Sequence, residues 1–507
     1  MIVERFDCVI SKYLDYALIL TGADFTSSGK SSIQTVSVYI TREDLSMALQ
    51  AKQETVVETP LQQERPAHNE MLFYGMGFFG IILIWTMVGT FLTFYYTDVA
   101  GISAGVVGTL MLVARLLDGF TDVGMGALVD RTKSKYGKAR PWILWMAVPF
   151  AVSGVLLFSV PELSTTGKIV YAYVTYFLLI LMYTAISIPY KTLLGLMTQD
   201  QKGRTLVNVY TGVFTMLATI LVMTLAQPIA SSIGGNLGWT VVAFAIGVII
   251  IVNCLLAFRK TKERVDIETV AQSKEKIPFK TEFKALLSNK YWVIITLYCV
   301  IAYTLNALLS GAGIFYAQYI LGSAGYFSLI ALTLFLPTIV GFFFVGRLIA
   351  RFGKRNIAIF VTCVAAFGSV IKLIDPNSLS IFLIGNAVQG FALLPIITFL
   401  YAMINDTTEY GEWKSGFRTA GLVNSAASFG MKVGAGIGGA LIGWLLAFGG
   451  YVGSLAEQSA SAEMMIITLN IYLPLLLTIL QLLFLWMYKL DKLYPSIVAD
   501  INERKAL

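Results

Sequence analysis

From about residue 73 onward the chain alternates long apolar runs with short polar ones. Each run is about 20 residues, the length a helix needs to cross the hydrocarbon core of a bilayer. Approximate spans are 73–96, 104–129, 141–160, 168–195, 208–230 and 239–258. After a charged stretch come 291–319, 327–349, 356–374, 380–404, 420–447 and 465–488. The pattern predicts an all-α integral membrane fold of 12 transmembrane helices in two six-helix halves, 71–258 and 291–488. A linker over 259–290 joins the halves, and residues 489–507 form a C-terminal tail. Residues 1–70 are polar, and their best apolar run, YLDYALIL, is too short to span. They read either as a polar tail or as a mis-assigned start, since Met71 directly precedes the first apolar segment.

Orientation follows from the basic residues. The 131–140 loop carries Arg131, Lys133, Lys135, Lys138 and Arg140 and no acid, and the 259–290 linker is again rich in lysine and arginine. The loops at the opposite ends (97–102, 161–167, 231–238, 321–326, 375–379, 448–463) contain no Lys or Arg. By the positive-inside rule this predicts a multi-pass protein of the plasma (inner) membrane with both termini cytoplasmic.

Composition narrows the function. Of 507 residues 57% are hydrophobic and only 13% charged, against about 25% charged in a soluble domain. The formal net charge of +7 is spread over the loops, so it orients the chain and marks no nucleic-acid partner. Four scattered cysteines (Cys8, Cys254, Cys299, Cys363) and a single histidine, His68, make no disulfide or metal pattern. The start, MIVERFDCVI, lacks the features of a cleaved signal peptide. No P-loop, nucleophile motif or dinucleotide fingerprint is present. The chain therefore reads as a non-enzyme without cofactor, and uphill transport would draw on an ion gradient, of Na+ or H+.

An internal echo supports two repeated halves. Gly126-Ala-Leu-Val-Asp130-Arg131 followed by Gly137-Lys138-Ala139-Arg140 links spans 2 and 3. Gly346-Arg347 followed by Gly353-Lys354-Arg355 links spans 8 and 9. Topology alone explains the basic residues but not the matched glycines. Two such halves place a substrate cavity near the midplane between them.

The sharpest chemistry lies in span 2, Arg115-Leu-Leu-Asp118-Gly-Phe-Thr121-Asp122. Asp118 and Asp122 are four apart, so both carboxylates leave one helix face, and ionised groups inside an apolar segment cost several kcal/mol unless compensated. With the Thr121 hydroxyl they offer hard oxygen ligands to a small cation; alternatively their mutual repulsion lets the pair carry a proton. A structural pairing of Asp118 with Arg115 is the competing expectation. Lys432 in span 11 is the other deep charge, set in a glycine-rich stretch, and either pairs with these aspartates or snorkels to an interface. In span 4, Pro189 should loosen the helix and free carbonyls beside Thr184 and Ser187. Lys191 faces either the cavity or the interface.

These residues closely resemble the glycoside–pentoside–hexuronide:cation symporters, the melibiose permease-like branch of the major facilitator superfamily. The match runs from about Tyr74 to the last span. Its markers are Tyr74-Gly75-x-Gly77, Phe94-Tyr95-Tyr96-Thr97-Asp98-Val99, Arg115-x-x-Asp118-x-x-x-Asp122, Asp130-Arg131-Thr132-x-Ser134-x-x-Gly137-Lys138-x-Arg140 and Ile188-Pro189-Tyr190. In the second half come Asp406-Thr407-x-Glu409-Tyr410-Gly411-Glu412-Trp413-Lys414-x-Gly416-x-Arg418 and Lys432. The resemblance implies cation coordination by Asp118, Thr121, Asp122 and Thr184, with Lys432 connecting cation and sugar sites. Ser187, Lys191, Ser428 and Lys432 are then expected at the substrate. Arg115, Asp130, Arg131, Gly137, Lys138, Arg140, Asp406, Tyr410, Glu412 and Arg418 are expected in gating or structural roles. The sugar side departs from melibiose permease at Ile82, Ser187, Lys191 and Thr211, which unsettles a galactoside specificity.

The expectation is thus sugar:cation symport by alternating access, with a sugar or sugar-acid solute, a monovalent cation and membrane lipid as partners, functional as a monomer. A lysolipid-type carrier and a non-transporting membrane sugar sensor are the competing readings.

Overall fold

The computed structural model describes residues 65–265, 278–453 and 455–506. The run YLDYALIL, Cys8 and most of the expected N-terminal stretch lie outside them. Among the described residues twelve helices are long and apolar enough to cross a membrane. They are span 1 His68–Val99, span 2 Ala104–Arg131, span 3 Arg140–Leu157, span 4 Thr165–Met197, span 5 Gln201–Ile233 and span 6 Gly235–Lys260. The second set is span 7 Lys290–Tyr319, span 8 Ala324–Phe352, span 9 Lys354–Lys372, span 10 Leu379–Thr398, span 11 Ala420–Phe448 and span 12 Ala460–Arg504. Each coincides with an apolar run read from the sequence, because in lipid only a helix satisfies every backbone polar group within its own segment.

Packing repeats across the halves. In the first, span 1 packs on spans 5 and 6, span 2 on span 4, and span 3 on spans 4 and 6; in the second, span 7 packs on 11 and 12, span 8 on 10, and span 9 on 10 and 12. The halves meet where span 2 packs on 11, span 5 on 8 and span 1 on 7. That set maps onto itself when the halves are exchanged, as two parallel repeats about an axis along the membrane normal require.

The echoed loops explain themselves in the same terms. Glu263, just beyond span 6, accepts the backbone N–H groups of Lys138, Ala139 and Arg140 at 2.8, 2.9 and 2.9 Å, an acid on the electropositive start of span 3. Gly137 holds φ +104°, and a Cβ there would lie 2.3 Å from the Glu263 carboxylate. Arg140 donates back to the Phe258 carbonyl at 2.6 Å. In the other half Asp491 accepts from Arg355 N at 2.8 Å, Gly353 holds φ +82°, and Arg355 donates to the Leu485 and Trp486 carbonyls at 2.9 and 2.8 Å. Gly-Lys-(Ala)-Arg is therefore a clamp that fastens the end of span 6 or 12 to the start of span 3 or 9. Its acid is the part the sequence pattern does not announce.

At the same basic end Glu70 is buried, with Arg264 donating to both of its oxygens at 2.9 and 2.8 Å. Lys354 pairs with Asp406 on the helix Leu400–Ser415. Burial pushes the Asp406 carboxyl above the usual range against the pull of Lys354. Arg418 bridges Glu409 and Glu412 at 2.9 and 3.0 Å, and Tyr410 packs edge-on against Tyr291 at 4.8 Å. At the basic end of span 2, Asp130 and Arg131 are both exposed.

Span 4 differs from expectation. Its helix runs unbroken from Thr165 to Met197 through Pro189, since one missing N–H is tolerated in a helix held by neighbours. Tyr190, next to that proline, is locked to span 1: its hydroxyl donates to the Tyr74 carbonyl at 2.5 Å, and Tyr74 returns the bond to the Tyr190 carbonyl at 2.9 Å. Gly77 makes room, because a Cβ there would lie 2.2 Å from the Tyr190 hydroxyl.

Glu263→Ala should lower thermal stability in detergent by about 1–3 kcal/mol through three orphaned donors, and Asp491→Ala should lower it by less, through the single Arg355 N–H it leaves. Unchanged melting in both variants contradicts the clamp.

Candidate functional site

The site begins with the approach of span 11 to its neighbours. A Cβ on Gly434 would lie 2.3 Å from the Val300 carbonyl of span 7, and one on Gly438 2.7 Å from the Thr304 carbonyl. On another face, a Cβ on Gly436 would lie 2.9 Å from Arg115 Cβ and one on Gly443 2.4 Å from the Ala104 carbonyl, both of span 2. The glycine-rich run thus carries two stripes, one for span 7 and one for span 2, and small residues are what let membrane helices close to backbone contact. Lys432 is carried against span 2 by this packing.

There its ammonium lies between the two aspartates. Nζ donates to Asp122 Oδ2 at 2.5 Å and to the main-chain carbonyl of Asp118 at 3.1 Å. It also lies 3.0 Å from Asp118 Oδ2, but off the line of a hydrogen bond, and that oxygen has no hydrogen-bond donor among the described residues. Asp118 is 1% exposed. Lys432 thus meets the inner oxygen of Asp118 as an ion pair. Thr184 donates to Asp118 Oδ1 at 3.2 Å and lies 3.5 Å from Asp122 Oδ1, and Thr121 Oγ1 is 3.2 Å from Thr184 Oγ1. The four residues expected at a cation, Asp118, Thr121, Asp122 and Thr184, are gathered in one place.

Arg115 is elsewhere. Its guanidinium lies 4.0 Å over the Trp85 ring, and Trp85 stacks on Tyr183 with centroids 3.8 Å apart and planes 11° from parallel. The competing Asp118–Arg115 pairing does not form: lysine from the opposite half takes the carboxylates, and the arginine turns to an aromatic face, a favourable cation–π contact. These three side chains, from spans 1, 2 and 4, were invisible as a unit in the sequence.

Together they border a cavity of about 660 Å³ between the halves, within the usual range for small-molecule sites. Spans 1, 2, 4 and 5 line it on one side and spans 7, 8, 10 and 11 on the other. Asp118, Asp122, Ser187, Lys191, Ser428 and Lys432 all reach its wall, so Lys191 faces the cavity. Thr211 lines it too, and Ile82 is packed against the apolar core. Elsewhere on the wall Thr86, Thr90, Asn208, Thr215, Asn306, Ser310, Tyr303 and Tyr401 bring hydroxyl and amide groups, set among apolar side chains such as Met216, Phe335, Leu393 and Ile396. Sequence reading missed Asn208 and Asn306, which look like ordinary polar residues in apolar spans.

A match of residues 73–492 to the family model for MFS/sugar transport protein covers most of the chain. The chain belongs to that family. Its relatives include an isoprimeverose transporter from Lactiplantibacillus pentosus, 36% identical over 86% of this chain and 92% of that one. The inner membrane symporter YicJ of Escherichia coli (strain K12) is 33% identical over 80% and 88%. A glucuronide carrier protein homolog from the same strain is 31% identical over 85% and 95%. Among solved structures the D-xylose-proton symporter superposes with a TM-score of 0.57 at 15% identity, covering 83% of this chain and 97% of that one, and shares the fold.

One end of this family member's cavity is sealed. At the end opposite the basic loops, Asp98 of span 1 accepts hydrogen bonds from Tyr319 at 2.5 Å and Tyr451 at 2.7 Å, both of the other half, and from Thr97 at 2.5 Å. Nearby, Trp444 donates to Thr109 and Ser328 to the Thr224 carbonyl at 3.1 and 2.7 Å. In the sequence Asp98 stands out only as a family marker; the tyrosines that give it a role come from the other half.

Lys432→Met strands two carboxylates and should destabilise the protein by roughly 3–5 kcal/mol, partly recovered when Asp118→Asn is added. Equal melting of the single and double variants contradicts the shared charge site. Asp98→Asn removes the charge from three hydrogen bonds. It should raise thiol labelling of Thr93→Cys from the sealed end by roughly tenfold, the factor for about 1.4 kcal/mol; unchanged labelling contradicts the seal.

Proposed function

We propose that the chain is a secondary active transporter that moves a sugar or sugar derivative together with a monovalent cation, Na+ or H+, by alternating access. The observation that carries the reading is the Lys432 ammonium resting between Asp118 and Asp122, within ion-pair distance of both carboxylates. Those carboxylates form a cation site by their chemistry, and in this state the protein's own ammonium fills it. A small cation entering among Asp118, Asp122, Thr121 and Thr184 displaces Lys432 from at least one carboxylate. The released ammonium then turns to the cavity that Lys432 also lines, where Ser428, Ser187 and Lys191 meet the solute. Coupling is thus a competition for one pair of carboxylates, and by linkage the solute must strengthen cation binding as much as the cation strengthens solute binding.

The solute class rests on the wall and the relatives. Hydroxyl and amide groups set among apolar side chains, with a Trp85–Tyr183 stack, suit the alternating hydroxyl edges and apolar faces of a sugar. Relatives named isoprimeverose transporter and glucuronide carrier protein homolog support a sugar over a lysolipid. The basic ends support a cytoplasmic position in the plasma membrane for the linker and the C-terminal end of span 12, with the Asp98 seal on the outer side. One chain supplies the whole cavity, so a monomer suffices.

In vesicles with separately imposed sodium and proton gradients, uptake of a sugar panel that includes uronic acids should become concentrative under one gradient. Asp122→Ala should abolish that accumulation while leaving downhill flux measurable. Uphill accumulation by Asp122→Ala contradicts the coupling role.

A further inference from the structure

Span 9 ends in a buried lysine that the transport chemistry leaves unused. Lys372 is 1% exposed, although it is the last residue of its helix and the next loop is within reach. A lysine so placed ordinarily snorkels outward; this one turns inward. Its Nζ donates to Asn386 Oδ1 at 3.1 Å and to Gln389 Oε1 at 2.5 Å, both on span 10, and lies 4.3 Å over the Phe382 ring. Among the described residues these partners are all neutral. Gly385 leaves a groove for the side chain, since a Cβ there would lie 2.6 Å from Lys372 Cγ.

The two amides are themselves engaged on neighbouring spans. Asn386 donates to the Ile330 carbonyl at 2.7 Å and to Thr333 at 3.1 Å, both on span 8, and Gln389 donates to Ser369 of span 9 at 2.9 Å. One ammonium therefore ties spans 8, 9 and 10 together without a counter-charge, an arrangement that an apolar side chain would replace at lower desolvation cost.

The backbone beyond Gln389 gives the knot a use. The α-helix of span 10 stops there: Gly390–Leu393 is a 3₁₀ turn, Leu394–Thr398 a short helix, and Phe399 a second break. Thr338 of span 8 donates to the Gly390 carbonyl at 2.8 Å, satisfying a group the break leaves free. Leu393 at the end of the joint, and Ile396, Ile397 and Tyr401 beyond it, line the cavity.

We propose that Lys372 is a positioning residue of the transport cycle: its ammonium pins the outer half of span 10 to spans 8 and 9. Rearrangement is then confined to the Gly390–Leu393 joint, and it moves the cavity-lining inner segment as a unit. The inference rests on the transport reading, and two readouts in the same vesicles keep them apart. The first is thiol labelling of Ile397→Cys with and without solute, and the second is uptake.

Lys372→Met should abolish the solute dependence of labelling and lower the maximal uptake rate roughly tenfold with KM within about twofold, the scale for losing a charge-assisted contact. Lys372→Arg should keep most of both. Because the methionine variant strands two buried amides, a triple variant, Lys372→Met with Asn386→Leu and Gln389→Leu, separates folding from function. It should melt like the unmutated chain and still show the labelling and rate defects. A triple variant with unmutated melting, labelling and rate overturns the role of Lys372. No uptake by the unmutated chain overturns the transport reading instead, while labelling still decides the clamp.

Discussion

Two carboxylates four residues apart inside a bilayer are the constraint on which this structure turns. Asp118 and Asp122 cannot stay ionised in hydrocarbon without a positive partner, and the chain answers with a lysine from its other half. That answer dictates the packing around it. Span 11 must come to backbone contact with spans 2 and 7 at once, and its glycines are divided into two stripes to allow it. The bond between the halves at Lys432 is thereby a charge contact, whereas the contacts at the sealed end are neutral or carboxylate–hydroxyl hydrogen bonds.

The repeated architecture distributes the remaining tasks. At the basic ends each half closes on itself, with Glu263 and Asp491 clamping spans 6 and 12 to spans 3 and 9. At the opposite ends the halves close on each other through Asp98, Tyr319 and Tyr451. Rigid halves joined at one end leave the basic side free to part, and the cavity sits on the path between. The two helix sites nearest that path differ in kind: Pro189 sits in an unbroken, tyrosine-locked helix, while Gly390–Leu393 is a true joint.

Much of this was legible in the chain because the bilayer is a strict solvent. Apolar runs of about 20 residues can be little else, and aspartates within one of them stand out, so the spans and the Asp118–Asp122 pair were readable. The matched glycines of the loops were also readable, but their acids were not: Glu263 and Asp491 sit in charged stretches where an acid is unremarkable, and only the fold carries them to the loop. Arg115 offered a pairing with Asp118 only as the competing reading, and its partner Trp85, on another span, could not be read from the chain. Proline suggested a break at Pro189, yet the break occurs at Gly390, whose missing Cβ admits the Leu334 carbonyl. Lys372 escaped because a lysine at the end of a span reads as a loop residue.

The central claim is that cation and solute meet through Lys432 at one pair of carboxylates. Its most direct test is reciprocal binding to the purified protein, with solute affinity measured at zero and saturating cation, and cation affinity at zero and saturating solute. The account predicts that each ligand tightens the other by the same factor, roughly 5- to 150-fold. Affinities that do not depend on the other ligand would contradict it.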